Sequence, residues 1–151
     1  MANSQAICTS FKVELMKGIH ALGTTVVRAG TTKDTIKAAL YLASASLGAG
    51  TTAYSGTGEV SGANYATGGE TVTNATEPTN DGTTAHWTPS AAVAWTNVTL
   101  STAFDAVLFY NSTQSDKAIA VFTFGSQTVT SGNFSLTMPT NNGTTGLIRL
   151  A

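Results

Sequence analysis

The sequence predicts an all-β fold: an antiparallel β-sandwich, jelly-roll-like, with a flexible N-terminal arm. Among its 151 residues are 28 Thr and 15 Gly. Thr favours pleated, half-buried surfaces, while Gly supplies turns. Apolar residues make up 42% of the chain, enough for a core. Short apolar segments recur roughly every ten residues without a helical interlude, which is typical of sandwiches.

Alternation of apolar and polar residues indicates where the strands lie. It predicts strands at 11–17, 34–44, 70–74, 83–87, 93–99, 134–138 and 147–150. The Ala and Leu content of residues 34–44 would also suit a helix. A strand is preferred there because no helix cap follows and the neighbouring elements are strands. The odd-numbered residues from Val93 to Thr99 are expected to share one face.

Two hairpins stand out in the chain. Residues 103–110 and 118–124 are the most apolar segments, and a polar turn separates them. They are predicted to form a buried antiparallel pair. A second hairpin is predicted at Asp81-Gly82, because Asp-Gly suits a tight two-residue turn.

The chain is long enough for one domain and too short for two ordinary ones. Residues 1–10 are polar and are predicted to be an arm, and residues 11–151 a single sandwich domain. Residues 48–69 form the longest irregular stretch. The arm and this loop are the segments expected to reach a neighbouring molecule, since ends and long loops can order on binding.

Charge and targeting signals narrow the classes of partner. Charged residues make up 10% of the chain and the net charge is −1. Neither gives an electrostatic drive towards nucleic acid or anionic lipid. Cys8 is the single cysteine, so no intrachain disulfide is expected. The N-terminal residues lack the features of a signal peptide, and no apolar run is long enough to span a bilayer.

Catalytic and metal-binding patterns are sparse. His20 and His86 lack zinc-ligand spacing and are expected at the surface or partly packed. No nucleophile elbow, phosphate loop or close carboxylate pair occurs, so no catalytic residue, cofactor or metal site is predicted. Asp105 lies within an apolar run. Its alternation favours an outward position, and Arg28 or Arg149 could otherwise pair with it.

The aromatic residues admit two interpretations, core packing or a carbohydrate-binding platform. Aromatic residues at alternating strand positions more often belong to a sandwich core, which is the interpretation preferred here. The residues concerned are Tyr41, Tyr65, Trp87, Trp95 and Phe109.

A series of segments resembles a family of small virion proteins of tailed phages, found among the structural genes near the major capsid protein. The segments are Asp34–Tyr41, Thr52–Tyr54, Glu59–Tyr65, Gly68–Gly69, Val107–Asn111, Phe124–Gly125 and Gly146–Leu150. The resemblance covers about residues 10–151. These motifs are rich in Gly and apolar residues, so they mark a fold and a family rather than a reaction.

The resemblance implies a structural protein, not an enzyme, that binds the capsid exterior and cements neighbouring capsomers. It implies the major capsid protein as partner, homo-oligomerisation as a dimer or trimer, no nucleic-acid or membrane partner, and synthesis in the host cytoplasm. Ala6, Ile7, Tyr54 and Tyr65 are the candidate interface residues.

Two other functions stay open. The first is a tail, neck or fibre-associated phage protein with glycan binding. The second is a hydrolase of cell-wall sugars, which is the weakest because no acid–base set is visible.

Overall fold

The predicted all-β class is confirmed. The structure, a computed structural model, describes residues 2–16, 18–24 and 32–151. Within those ranges it contains eight strands, one α-helix and one 3-10 turn. They are β1 (Ala6–Ile7), α1 (Thr9–Met16), β2 (Ile36–Leu42), β3 (Glu70–Thr71), β4 (Thr79–Asp81), β5 (Thr84–Trp87), β6 (Val93–Asn111), the 3-10 turn (Ser112–Gln114), β7 (Lys117–Leu136) and β8 (Ile148–Leu150).

The strands form two antiparallel sheets. The larger has the order β1-β7-β6-β2-β3, and the smaller has the order β4-β5-β8. Trp87 and Ile148 of the smaller sheet belong to the same apolar core as the buried side chains of the larger one. This arrangement confirms the sandwich, whereas the jelly-roll assignment stays a prediction.

Both predicted hairpins are present. Residues 104–111 of β6 pair with residues 117–127 of β7, and β2 covers the other side of β6. At the turn, the Asn111 side chain accepts hydrogen bonds from the amides of Thr113 and Gln114. The second hairpin joins β4 to β5. Gly82 adopts a φ of 57° in its turn, a conformation that favours glycine.

The long hairpin of β6 and β7 folds back on itself. The ring centroids of Phe124 and Phe134 are 5.3 Å apart, although a straight strand would separate these positions by about 33 Å. Phe104 packs edge-on against both rings, at 6.0 and 5.0 Å. Irregular pairing from Trp95 to Ala106 makes the bend possible, because bulges bend strands. The two halves of the hairpin therefore face each other across the core.

The bulges also change which side chains face inward. Val93 and Trp95 are buried, but Asn97 is exposed with a φ of 53°, and Val98 is buried instead. The prediction that the odd-numbered residues from Val93 to Thr99 share one face is therefore wrong. The register changes between Trp95 and Val98, which inverts the inward positions beyond it.

Residues 11–17 do not form the predicted strand, because α1 spans Thr9–Met16 and Lys17 lies outside the described residues. Phe11 and Glu14 are buried and Leu15 is half-buried. Their spacing places them on one helical face. The helical spacing was not recognised in the sequence because one of the buried positions is occupied by the charged residue Glu14.

The N-terminal segment was predicted to be a flexible arm over residues 1–10, but it lies against the body of the protein, and Thr9 and Ser10 already belong to α1. Ala6 and Ile7 pair with Val121 and Ala120 of β7. Further out, the Ser4 amide donates to the Leu47 carbonyl at 2.8 Å. Cys8 is fully buried, and burial raises the pKa of its thiol to about 11, with the Glu14 charge adding to the effect.

Candidate functional site

A surface groove opens where the sandwich is not closed by a strand. It consists of two adjoining cavities of about 450 and 220 Å³, and both are lined by Gln5, Phe122 and Leu147. The larger cavity lies over β1, against Ala6 and Ile7. The smaller cavity enters the space between the two halves of β7. Its further lining residues are Val107, Phe109, Thr123, Phe124, Leu136, Thr137 and Met138.

Most of the groove is apolar and half-exposed. Phe122 packs edge-on against the buried Phe109, with ring centroids 5.5 Å apart. Ile7, Met138 and Leu147 are likewise only partly buried. Fixed apolar walls with partial exposure are typical of surfaces that bind another molecule.

Among the residues that the structure describes, Arg149 is the single charged one that lines the groove. It is exposed, and its guanidinium donates to the Gly143 carbonyl at 3.3 Å. In the part of the chain that the structure describes, Arg149 has no acidic partner.

The chain around the groove carries no charge. No Asp, Glu, Lys or Arg occurs from Ala118 to Ile148, which includes almost all of β7 and the segment that follows it. Natural sheet edges are commonly protected by charged side chains, especially Lys. The outer edge of β7, beside the groove, has no charged side chain from Ala118 onwards. This uncharged run is the signal in the sequence that could have located the groove.

The four candidate interface residues lie in two places. Ala6 and Ile7 line the larger cavity of the groove. Tyr54 and Tyr65 instead bind a buried carboxylate within the loop 48–69. The structure therefore does not bring the two pairs of residues together in one site.

That carboxylate belongs to Glu59. Its oxygens accept hydrogen bonds from the Tyr54 hydroxyl at 2.6 Å, the Tyr65 hydroxyl at 2.8 Å and the Gly68 amide at 2.8 Å. Gly68 has a φ of 90°, which favours glycine and lets its amide reach inward. Three donors compensate for the loss of water around the buried charge.

The other two tyrosines of the chain anchor the same region. The Tyr41 hydroxyl donates to the Ser55 carbonyl at 2.5 Å, and the Tyr110 hydroxyl donates to the Gly68 carbonyl at 2.7 Å. Burial raises the pKa of Tyr41 and of Tyr110 to about 12. Burial, with Glu59 beside them, raises the pKa of Tyr54 and Tyr65 still further. These hydroxyls therefore stay protonated and act as donors that fix the loop.

A second buried polar network contains His20, so the expectation of a surface position for this residue is wrong. Its Nε2 lies 2.8 Å from Glu14 Oε2, and its Nδ1 lies 3.0 Å from Asn111 Nδ2. Because Asn111 Nδ2 can only donate, Nε2 carries the imidazole proton towards Glu14. Lys117 is the last member of this polar network, and its Nζ lies 2.8 Å from Glu14 Oε1. Both ring nitrogens of His20 are thus occupied by fixed partners and serve to connect α1 to the hairpin.

His86 is also buried rather than at the surface. Its Nδ1 lies 3.0 Å from Asn141 Oδ1, and its Nε2 lies 3.4 Å from Asp81 Oδ2, in an ion-pair contact without hydrogen-bond geometry. The Asn141 contact connects the smaller sheet to the segment 137–147, and the Asp81 contact lies within that sheet. Within the described ranges, no group of three His, Cys, Asp or Glu side chains is placed to hold a metal ion.

The preferred interpretation of the aromatic residues is confirmed. Tyr41, Trp87, Trp95 and Phe109 are buried in the core, and Tyr65 is half-buried. Buried rings cannot stack on a sugar, so these residues do not form an exposed carbohydrate platform.

Asp105 is half-buried and accepts a hydrogen bond from Asn3 Nδ2 at 2.7 Å. Asn3 therefore takes the place of the cationic partner considered for it. Of the two arginines considered, Arg149 contacts Gly143 and Arg28 lies outside the described residues.

Comparison with protein-family models, curated proteins and solved structures found no match. A search of the described residues for a membrane-crossing helix found none of sufficient length and apolarity.

Proposed function

We propose that the protein is a structural virion protein of a tailed phage, which binds the outside of the capsid and cements neighbouring capsomers. One observation carries the proposal: the uncharged stretch of chain from Ala118 to Ile148, whose half-exposed apolar side chains line the groove. The resemblance of the sequence to small phage virion proteins supports the same conclusion.

An uncharged surface suits permanent contact with protein. The fully buried centres of protein interfaces are depleted of charged residues, because each charge must lose its hydration there. Here solubility depends on hydroxyl and amide groups, such as Gln5, Thr144 and Thr145 at the groove. These groups can exchange water for a protein partner at lower cost than a carboxylate or an ammonium group.

The two buried networks support the proposal by making the scaffold rigid. Glu59 fixes the loop 48–69, and Glu14 fixes α1 against β7 through Lys117. A preorganised surface loses little conformational entropy on binding, so more of the contact energy appears as affinity. A cement protein needs this property because it must stabilise a shell without changing its shape.

Cementing follows from mass action. A protein that binds the assembled lattice but not separated subunits stabilises the lattice in proportion to its occupancy. A standard interface buries about 800 Å² per partner, so many modest contacts per shell give a large total. The proposed partners are the major capsid protein and further copies of this chain, as a dimer or trimer. Nucleic acid and membrane are not among the proposed partners.

Copy number in purified particles tests the proposal. Quantitative mass spectrometry should find this protein in numbers comparable with the capsid subunit, because a cement protein repeats with the symmetry of the shell. A ratio close to that of the neck or tail-fibre proteins would contradict the cement role and favour the fibre-associated alternative. Absence from washed particles would contradict both.

A further inference from the structure

We propose that the groove binds an extended segment of a protein partner as an additional β-strand, and that this segment is uncharged except for one carboxylate, which pairs with Arg149. The inference deepens the proposed function by giving the chemistry of what the partner presents. It rests on that proposal only for the identity of the partner, since the strand-binding site itself is derived from the edge of the larger sheet.

The first argument is the interrupted edge of the sheet. β1 pairs with β7 only at Ala6 with Val121 and at Ile7 with Ala120. The next residues, Phe122 and Thr123, pair with β6, and together with Phe124 they line the groove. In the described parts of the chain no strand continues β1 along this edge. An extended segment placed there would form the same kind of pairing that β1 already makes.

The second argument is the alternation of the groove lining. The smaller cavity is lined by two runs of three residues, 122–124 and 136–138, in each of which a Thr stands between two apolar residues. Side chains two positions apart in a strand point to the same face. The groove therefore presents apolar contacts at the spacing of alternate residues of a strand, so the occupant should carry apolar side chains at every second position.

The third argument is charge complementarity. Within the described ranges the lining is neutral except for Arg149, which lies in the larger cavity and has no acidic partner there. An uncharged segment avoids the cost of desolvating unpaired charge. A carboxylate at one end would pair with the guanidinium, which binds carboxylates well. A single cation is too few for a nucleic-acid backbone, where each neutralised phosphate needs its own Lys or Arg.

A short peptide tests the inference on the purified, full-length protein. The probe is the hexapeptide Thr-Val-Thr-Val-Thr-Asp, labelled with fluorescein at its N-terminus and measured by fluorescence anisotropy. We expect saturable binding, and about ten-fold weaker binding when both its Asp and its C-terminal carboxylate are converted to amides. Arg149→Gln should remove that difference between the two peptides. Binding that is insensitive to both changes would overturn the assignment of Arg149.

Two N-methylated peptides test strand addition itself. Each carries methyl groups on one of the two alternating sets of backbone nitrogens. A strand added to an edge points only one set at the sheet, so one peptide should lose binding and the other should keep it. Equal affinities for the two would overturn strand addition.

Leu147→Gln places an amide in the groove, and Leu150→Gln makes the same change at an exposed residue outside its lining. Binding should weaken about ten-fold or more in the first variant and hardly change in the second. Unchanged binding to a folded Leu147→Gln variant would overturn the groove as the site. Sedimentation of the same samples identifies a different occupant: self-association that Leu147→Gln abolishes, without peptide binding, would replace the partner segment by a second copy.

These measurements use no phage particles, so their outcome does not depend on whether the proposed function is correct. Peptide binding by a protein that is absent from virions would leave the strand site intact and contradict the cement role. A cement protein that fails to bind the peptide would leave the proposed function intact and contradict the strand site.

Discussion

Two buried carboxylates, Glu59 and Glu14, hold the irregular parts of this protein against its strands. Each accepts several hydrogen bonds: the donors to Glu59 belong to its own loop, whereas Glu14 accepts from the nearby His20 and from the distant Lys117. Replacing a charged group held in this way lowers the free energy of unfolding, because its hydrogen-bond donors stay buried without their acceptor. These positions therefore give sharp tests of the structure.

Replacing Glu59 by Gln should lower the free energy of unfolding by about 2–3 kcal/mol, because a hydrogen bond to a charged group contributes about 1.5–3 kcal/mol and the new amide group faces donors. Denaturant unfolding measures the change. Glu70→Gln is the matched control on β3 and should change stability by less than about 0.5 kcal/mol. Equal effects of the two substitutions would show that Glu59 is not held as described.

Glu14 should make stability depend on pH. Burial raises its pKa, but the hydrogen bonds from Lys117 and His20 and the charge of Lys117 outweigh burial and hold the pKa below the ordinary value of 4.5. A carboxyl whose pKa is lowered by folding contributes stability above its unfolded value, and that contribution is lost as pH falls through the folded value. Stability should therefore decline below about pH 4.5, and the decline should be shallower in Glu14→Gln.

Glu70→Gln serves again as control and should keep the acid-induced decline of the native protein. A Glu14→Gln variant with an unchanged pH profile would contradict the lowered pKa.

The long hairpin of β6 and β7 is the element that makes the sandwich. Its aromatic contacts converge on Phe104, which is fully buried between Phe124 and Phe134. The backbone bends at bulges, and the aromatic side chains fix the angle at which the two halves meet.

Replacing Phe104 by Ala should cost about 3–5 kcal/mol, the usual range for a large buried aromatic residue. Phe122→Ala removes the same ring from a half-exposed position in the groove and should cost clearly less. Thermal or denaturant unfolding compares the two variants. Similar losses would mean that Phe104 is not the centre of the fold-back packing.

The N-terminal segment divides into two parts with different expected roles. Residues 2–5 are mainly exposed, whereas Ile7 pairs with β7 and Cys8 is fully buried. Deleting residues 2–5 should leave the melting temperature within a few degrees of the native value. Deleting residues 2–10 should lower it substantially, because it exposes the surface beneath Cys8 and removes the start of α1. Circular dichroism melts of both truncated proteins test this, and equal melts would contradict the packing of β1.

The sequence predicted those elements whose signals are local. The strand at 36–42 and the apolar pair at 104–124 follow alternation or continuous apolarity, and the Asp81-Gly82 turn follows from turn chemistry. Prediction from the sequence failed where tertiary contacts determine the secondary structure or the strand register. The helix α1 has a charged residue, Glu14, on its buried face, and the bulge at Asn97 shifts the register in a way that no local pattern shows.

Only part of the candidate site could be predicted from the sequence. Ala6 and Ile7 were identified through their place in the N-terminal segment, and they do line the groove. Phe122, Leu147 and Arg149 were not identified, because they meet only after the hairpin folds back and the C-terminal strand returns. The Glu59 network was not predicted for a different reason: its donors lie within nine residues of Glu59, but they belong to a loop without a regular pattern.

Seen as one molecule, the protein combines a rigid interior with a surface of low charge. Two polar networks hold its loop 48–69 and its helix, while the groove and the uncharged run from Ala118 to Ile148 form the proposed binding surface. Such a division suits a protein whose task is to stay bound. The cement role requires that this binding stabilises the shell and not only that it occurs.

Heat-induced release of DNA from particles tests that requirement most directly. Particles assembled without this protein should release their DNA at a lower temperature than complete particles, and adding the purified protein back should restore the higher temperature. The Leu147→Gln variant should restore it less well than Leu150→Gln. Equal release temperatures for particles with and without the protein would contradict the cement role.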